Sequence, residues 1–230
     1  MTHEAIILAG GLGTRLREAV PDLPKCMAPV NGKPFIDYVL KHLQHQGIRH
    51  FIFSLGYKSE AFTGYLEQTL SRDKYSIVIE KEPLGTGGAI RFACSASREE
   101  QVLVVNGDSL FAIDLSVQSD FHQSHQADCT LALKPMENFD RYGAVVLEED
   151  QSIRSFQEKK FYARGLINGG VYLLNKASFL NEDMPEKFSF ETDYLQKLYP
   201  VRRFYGVIQE GYFIDIGIPG DYQKAQIDLQ

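Results

Sequence analysis

The sequence predicts a single α/β domain built on a mixed, mostly parallel sheet with helices on both faces and an antiparallel insertion. Three observations predict it. Strand-length apolar runs alternate with amphipathic stretches through the first half of the chain. Two of those runs are apolar almost throughout, as strands covered on both faces are. After about residue 128 the alternation gives way to short strands that follow one another directly, separated by polar turns.

The elements follow in order. Residues 5–9, 51–55 (Phe-Ile-Phe-Ser-Leu), 75–79 and 102–105 (Val-Leu-Val-Val) have strand length and composition. Between the first two, "KPFIDYVLKHLQHQG" reads as a helix. Pro34 suits its first turn, Ile36, Val39, Leu40 and Leu43 keep helical spacing, and Gly47 suits its stop. Further helices are expected near 59–70, 87–97 and 116–126. A β-α-β-α rhythm implies parallel strands with crossover helices on both sides. "CTLALKP", "YGAVVLE", "SIRSFQEK" and "INGGVYLL" then read as antiparallel strands over one end of the sheet. Helices return near 190–198 and 219–227. No linker, repeat or low-complexity segment interrupts the chain, so residues 1–230 are expected to form one domain.

Bulk properties exclude several classes. At 230 residues, 44% hydrophobic and 23% charged, the chain is an ordinary soluble globular sequence. A net charge of −6 argues against general nucleic-acid binding but leaves room for a local cationic pocket. Cys26, Cys94 and Cys129 are widely spaced and odd in number, which reads as reduced thiols. The apolar stretch at the N-terminus is too short for a signal peptide or a membrane span. A cytoplasmic protein without membrane contact is expected.

The first strand runs into "AIILAGGLGTRL". This is not a Walker A loop, which needs Gly-Lys-Ser/Thr, and it lacks the third glycine of a dinucleotide fingerprint. It still points to an anion. Backbone N–H groups of Gly10, Gly11 and Leu12 can line a concavity at the carboxyl end of the strand, where α/β sheets bind ligands. The other reading of the loop is a plain turn with a surface arginine. Lys25 follows between Pro24 and Pro29, outside any regular helix. Arg15 as a fork and Lys25 as a point charge form a natural pair for neutralising a polyphosphate.

"LAGGLGTRL", then "PK", "EPLGTGGAI", "NGD" and "FIDIGIPGDY", in that order from residue 5 to about 225, resemble the sugar-1-phosphate nucleotidyltransferases. "EKEPLGTGGAI", "LALKPMENFDRYG", "FQEKK", "INGGVYLL" and "KFSFE" resemble most the short D-glycero-D-manno-heptose 1-phosphate guanylyltransferases. Longer members of the family add a left-handed β-helix of hexapeptide repeats. None is read here, so no second, acyltransferase activity is expected.

The resemblance implies a Rossmann-like fold, with a nucleotide-binding part over about 1–110 and a sugar-binding part, carried by the antiparallel insertion, over about 111–230. It implies attack of a sugar 1-phosphate oxygen on the α-phosphorus of a nucleoside triphosphate, with loss of pyrophosphate. Two polyanions must meet, so positioning and charge neutralisation dominate, with no covalent nucleophile and no general base. Arg15 and Lys25 would be the catalytic cations. Leu8, Ala9, Gly10, Gly11, Glu80, Pro83, Gly85 and Thr86 would bind the nucleotide, with Gly85 and Gly87 permitting its close approach. Thr86 is open to a second role as helix cap.

Asp108 and Asp215 would hold Mg²⁺. Asp108 closes "VLVVNGD" at the end of a buried strand, and Asp215 shares a face with Phe213 and Gly217 in an apolar stretch. A carboxylate there is costly unless paired or metal-bound, and Mg²⁺ takes one or two carboxylates plus phosphate oxygens. The alternatives are a turn Asp at 108 and a helix cap or buried pair at 215.

GTP is the expected nucleotide. Guanine presents two adjacent donors that one carboxylate accepts together, and Glu80 stands where uridylyl- and thymidylyl-transferring relatives carry Gln. Glu82 is a rival for that role, and a solvated strand-end Glu is the plainer reading of Glu80. Gly143, Glu158, Lys159 and Asn168 match the family's sugar-phosphate positions. Lys159 would meet the phosphate, while Glu158 and Asn168 would meet sugar hydroxyls. Strand alternation would put Glu158 and Lys159 on opposite faces unless a bulge or strand end intervenes.

D-glycero-D-manno-heptose 1-phosphate is the expected sugar, with mannose 1-phosphate and a UTP- or dTTP-using enzyme as alternatives. The chain is expected to be a monomer or homodimer. His122, His125 and Cys129 are read as a surface helix and a strand start, not as a zinc site. Two other classes compete. A glycosyltransferase would show Asp-x-Asp after the fourth strand, where "NGDSLF" has one Asp. A non-catalytic nucleotide-sugar sensor would have lost Arg15, Lys25, Asp108 or Asp215, and all four are present.

Overall fold

Each apolar run becomes a strand of the main sheet, and the strands between helices align in parallel. The computed structural model describes residues 2–11, 23–56 and 59–230. The first half holds β1 (Glu4–Leu8), β2 (Pro29–Val30), β3 (Lys33–Pro34), α1 (Phe35–His45), β4 (His50–Leu55), α2 (Ser59–Thr69), β5 (Tyr75–Ile79), α3 (Gly85–Cys94) and β6 (Gln101–Asn106). Then come β7 (Ser109–Phe111), α4 (Leu115–Ser124), β8 (Cys129–Phe139), β9 (Ala144–Leu147), β10 (Ile153–Phe156) and β11 (Tyr162–Asn175). The remainder is α5 (Lys176–Leu180), a π-helical turn (Phe190–Leu195), α6 (Gln196–Leu198), β12 (Phe204–Ile208), β13 (Phe213–Asp215) and α7 (Pro219–Asp228).

The main sheet runs β12-β8-β11-β6-β1-β4-β5. Only β11 is antiparallel to its neighbours in that row; its outer half stays paired with β8 and takes β9 in place of β6 on its other side, and β9 pairs in turn with β10. Alternation along β1 divides the core. Ala5 and Ile7 face a cluster with Phe35, Val39, Phe53 and Phe62, while Ile6 faces one with Ile90, Val104 and Phe190. Burying each such side chain contributes about 1.5–3 kcal/mol, so both helical layers are held firmly. Parallel β1, β4, β5 and β6 end at the same edge, and their loops gather there.

Two features near the cleft are absent from the sequence expectation. A short ribbon pairs β7 with β13 and sets Ser109 opposite Asp215. In β11 a bulge falls between Asn168 and Tyr172, where Gly170 takes φ +72°. One expectation is corrected. Helix α4, capped by the Asp114 carboxylate, buries Leu115, Gln118, Ser119 and His122, so His122 lies in the interior and not on a surface helix. Its Nδ1 meets the Thr130 hydroxyl at 2.8 Å. The three cysteines are buried and unbridged. Among the described residues no helix is long and apolar enough to cross a membrane.

Candidate active site

The gathered loops enclose a cleft of about 730 Å³. Its floor is the end of β1, Leu8 through Gly11. The Ala9 N–H donates to the Ser54 carbonyl and the Gly107 N–H donates to the Leu8 carbonyl, fastening this floor to the ends of β4 and β6. A side chain at Gly10 would come within 3.1 Å of Glu80 Oε1 and 3.2 Å of the Gly56 nitrogen, whereas one at Gly11 would meet nothing within 4 Å among the described residues. Gly11 lines the cleft. Arg15 lies outside the described residues, with 12–22 around it.

Lys25 begins a short 3-10 turn after Pro24 and reaches into the cleft. Its Nζ lies 2.5 Å from Asp108 Oδ2 and 3.3 Å from Asp215 Oδ1. Asp108 follows β6 directly; Asp215 is delivered beside it by the β7–β13 ribbon. Two carboxylates this close raise each other's energy, and the shared ammonium offsets that repulsion. Asp215 Oδ1 also accepts the Gly217 N–H at 2.7 Å, and the Ser109 hydroxyl donates to Asp108 Oδ1 at 3.4 Å. Helix α7 has no side-chain cap, so Asp215 is a paired carboxylate and not a helix cap. The set is oxygen-only and partly open, with Asp108 and Asp215 side chains 36% and 23% exposed. That donor chemistry fits a hard divalent cation sharing its shell with phosphate oxygens.

Glu80 follows β5 at the cleft wall. Its Oε2 accepts the Leu84 N–H at 2.9 Å and its Oε1 accepts the Ser54 hydroxyl at 3.4 Å. One carboxylate thus braces the loop that carries Pro83, Gly85 and Thr86, all of which line the cleft with Glu82. The glycines of this loop serve a different neighbour from the one expected. A side chain at Gly85, where φ is +73°, would strike the Phe188 carbonyl at 2.5 Å, and one at Gly87 would strike the Phe188 ring at 2.2 Å. Their close approach is to the chain's own segment 186–190. Thr86 does not cap α3, which has no side-chain cap. Its hydroxyl donates to Glu191 Oε2 at 2.7 Å and accepts the Phe190 N–H at 2.8 Å.

The four residues of the sugar-phosphate expectation stand outside the lining of this cleft. A side chain at Gly143 would come within 2.4 Å of the Gln157 carbonyl, so this glycine lets the start of β9 close on the segment leading to Glu158. Glu158 and Lys159 are exposed and follow the end of β10, so the alternation of faces along a strand does not constrain them. Asn168 donates from Nδ2 to the Tyr172 hydroxyl at 2.8 Å and accepts the Gly170 N–H at 3.1 Å. Gly170 packs on Asn106, which lines the cleft, so the bulge connects Asn168 to the cleft floor. Tyr142, beside Gly143, sets its ring edge-on to Phe213. Burial first, and then the Asp215 carboxylate, push its hydroxyl pKa upward.

Sequence reasoning missed Asn106, Ser109 and Gly217 in the cleft, and Glu191 behind it. Position at a strand end next to a singled-out aspartate would have found the first two.

Known proteins resemble the chain over its whole span. The family model for nucleotidyl transferase matches residues 4–230. A D-glycero-alpha-D-manno-heptose 1-phosphate guanylyltransferase of Aneurinibacillus thermoaerophilus is 51% identical over 227 residues, covering 99% of this chain and 98% of the relative. One of Campylobacter jejuni subsp. jejuni is 46% identical over 225 residues, covering 98% and 99%. Among solved structures, HddC from Yersinia pseudotuberculosis complexed with GMP-PN superposes with a TM-score of 0.87 at 35% identity, covering 100% of each chain.

Proposed function

The chain belongs to the nucleotidyl transferase family, and on that premise we propose that it joins GTP to D-glycero-α-D-manno-heptose 1-phosphate, releasing pyrophosphate. A phosphate oxygen of the sugar bonds to the α-phosphorus of GTP, and the bond from that phosphorus to the bridging oxygen of pyrophosphate breaks. The observation that carries the reading is Lys25 held between Asp108 and Asp215 at the mouth of the β1 loop.

The residues divide the work by charge. Leu8 through Gly11 lay backbone along the triphosphate, and Lys25, with Arg15, neutralises it. We assign Mg²⁺ to Asp108 and Asp215, where it would draw charge from the α-phosphate. The Glu80 carboxylate would accept guanine's two donors while its Oε2 also keeps the Pro83–Thr86 loop in place. Lys159, Glu158, Asn168 and Gly143 form the sugar-phosphate side, so residues 1–110 chiefly hold the nucleotide and 111–230 the sugar. The buried, unbridged cysteines favour a reducing cytoplasm.

The test is pyrophosphate release with GTP, UTP, CTP, ATP and dTTP against heptose and mannose 1-phosphates, with and without Mg²⁺. Release with GTP and the heptose phosphate that needs Mg²⁺ is expected. Preference for UTP or dTTP would keep the family and remove the guanine reading. No release with any pair would sink the proposal.

A further inference from the structure

Glu191 stands 105 residues from Thr86 in the chain, yet their side chains meet. It is the second residue of the π-helical turn and receives two hydroxyls on Oε2, from Thr86 at 2.7 Å and from Ser189 at 3.1 Å. The preceding residue, Phe190, donates its N–H to the same Thr86 oxygen at 2.8 Å. Thr86 is thus fixed from two directions by one short segment. The Phe190 ring then stands edge-on to the Tyr172 ring, centroids 4.9 Å apart, and the Tyr172 hydroxyl holds Asn168 Nδ2. A continuous set of contacts runs from the nucleotide loop through Glu191 and Phe190 to Tyr172 and Asn168.

Closing the loop does not itself require a charge here. The Gly87 N–H to the Phe188 carbonyl and the Phe188 N–H to the Leu84 carbonyl already fasten it. A carboxylate adds a stronger acceptor that fixes the rotation of one hydroxyl at the cleft wall.

We infer that Glu191 is a positioning residue: it sets the Pro83–Thr86 loop against the nucleotide and links that loop through Phe190 and Tyr172 to Asn168, so nucleotide and sugar phosphate strengthen each other's binding. The inference rests on the transferase reading for the identity of the two ligands.

Steady-state kinetics of Glu191→Ala, Glu191→Gln, Thr86→Val and the Glu191→Ala/Thr86→Val double variant test it. Glu191→Ala should raise KM for both GTP and the sugar phosphate about tenfold while kcat stays within about threefold, the pattern of lost binding without lost chemistry. Glu191→Gln keeps a carbonyl acceptor for Thr86 and should recover most of that loss. The double variant should cost clearly less than the sum of the two single ones, because both remove the Thr86–Glu191 bond. Unchanged KM values, a loss confined to kcat, or additive effects would overturn the inference. If Glu191→Ala does not fold, Thr86→Val decides alone: both KM values must rise. Nucleotide affinity measured without sugar separates this from the transferase reading. A wild-type chain that binds GTP but releases no pyrophosphate defeats that reading, while weaker GTP binding by Glu191→Ala, at a residue that does not line the cleft, still upholds Glu191, and unchanged binding rejects it.

Discussion

The cleft and the polar cluster behind α4 hold charge in opposite ways. In the cleft, Asp108 and Asp215 share one ammonium and keep oxygen surface facing open space. Behind α4, the Asp128 side chain is 9% exposed and gives both oxygens away, to the Arg203 guanidinium and N–H and to the Ser178 hydroxyl. Burial pushes the Asp128 carboxyl up, but those hydrogen bonds outweigh it and hold the pKa below the usual range. His122, 1% exposed, sits beside this pair as a neutral base. The contrast teaches where to look for chemistry. A charge with unused valence at a strand end can take a ligand, whereas a charge whose valence is filled holds the fold.

The contrast breaks or sharpens on three measurements. Asp215→Asn should lower turnover by about 10²–10³-fold at limiting Mg²⁺ and leave the urea midpoint nearly unchanged, since an amide cannot supply the charge. Near wild-type turnover would make Asp215 a structural charge like Asp128.

Next in size is a pH effect on the other side. Burial above all lowers the His122 pKa from 6.5 to about 4; nearby Asp128 raises it and Arg203 lowers it. The unfolded chain takes up that proton first. Stability should therefore be complete above pH 6.5 and fall as pH drops toward 4, by up to about 3 kcal/mol. Chemical denaturation at pH 7 and pH 5 should show the slope in the wild type and a flatter one in His122→Gln, with turnover at pH 7 kept. An identical slope in both would place the proton elsewhere.

Smallest is Glu80→Gln. The amide can still accept the Leu84 N–H, so the loop stays while the charge goes. GTP preference over UTP should fall about tenfold, roughly one charge-assisted hydrogen bond. An unchanged ranking would leave Glu80 as a loop brace alone.

Much of this was legible in the sequence because period and punctuation coincide there. The runs that became β1, β4, β5 and β6 are largely apolar, and the motif residues described at their ends fall in the cleft. What escaped has physical causes. Strands β7 and β13 have three residues each, too short for any alternation to show. Helix α4 buries Gln118, Ser119 and His122 at helical spacing, so its inner face is polar and reads as an outer one. The glycines of "LGTGG" advertise close approach, but nothing local says that Phe188 is what approaches.

Lys25 and Asp215 lie 190 residues apart in the chain. The ribbon that returns Asp215 to β7 therefore ties the site to the timing of synthesis. A nascent chain on the ribosome can complete β1, β4, β5 and β6, with the nucleotide loops in place, before residues 213–215 emerge. Until they pair with 109–111, Asp108 has no second carboxylate beside it. Such long-range closures form late. On the proposed reading, the growing polypeptide would present the nucleotide cradle before the carboxylate pair assigned to Mg²⁺, and the site would be whole only once residues 213–215 have paired with 109–111.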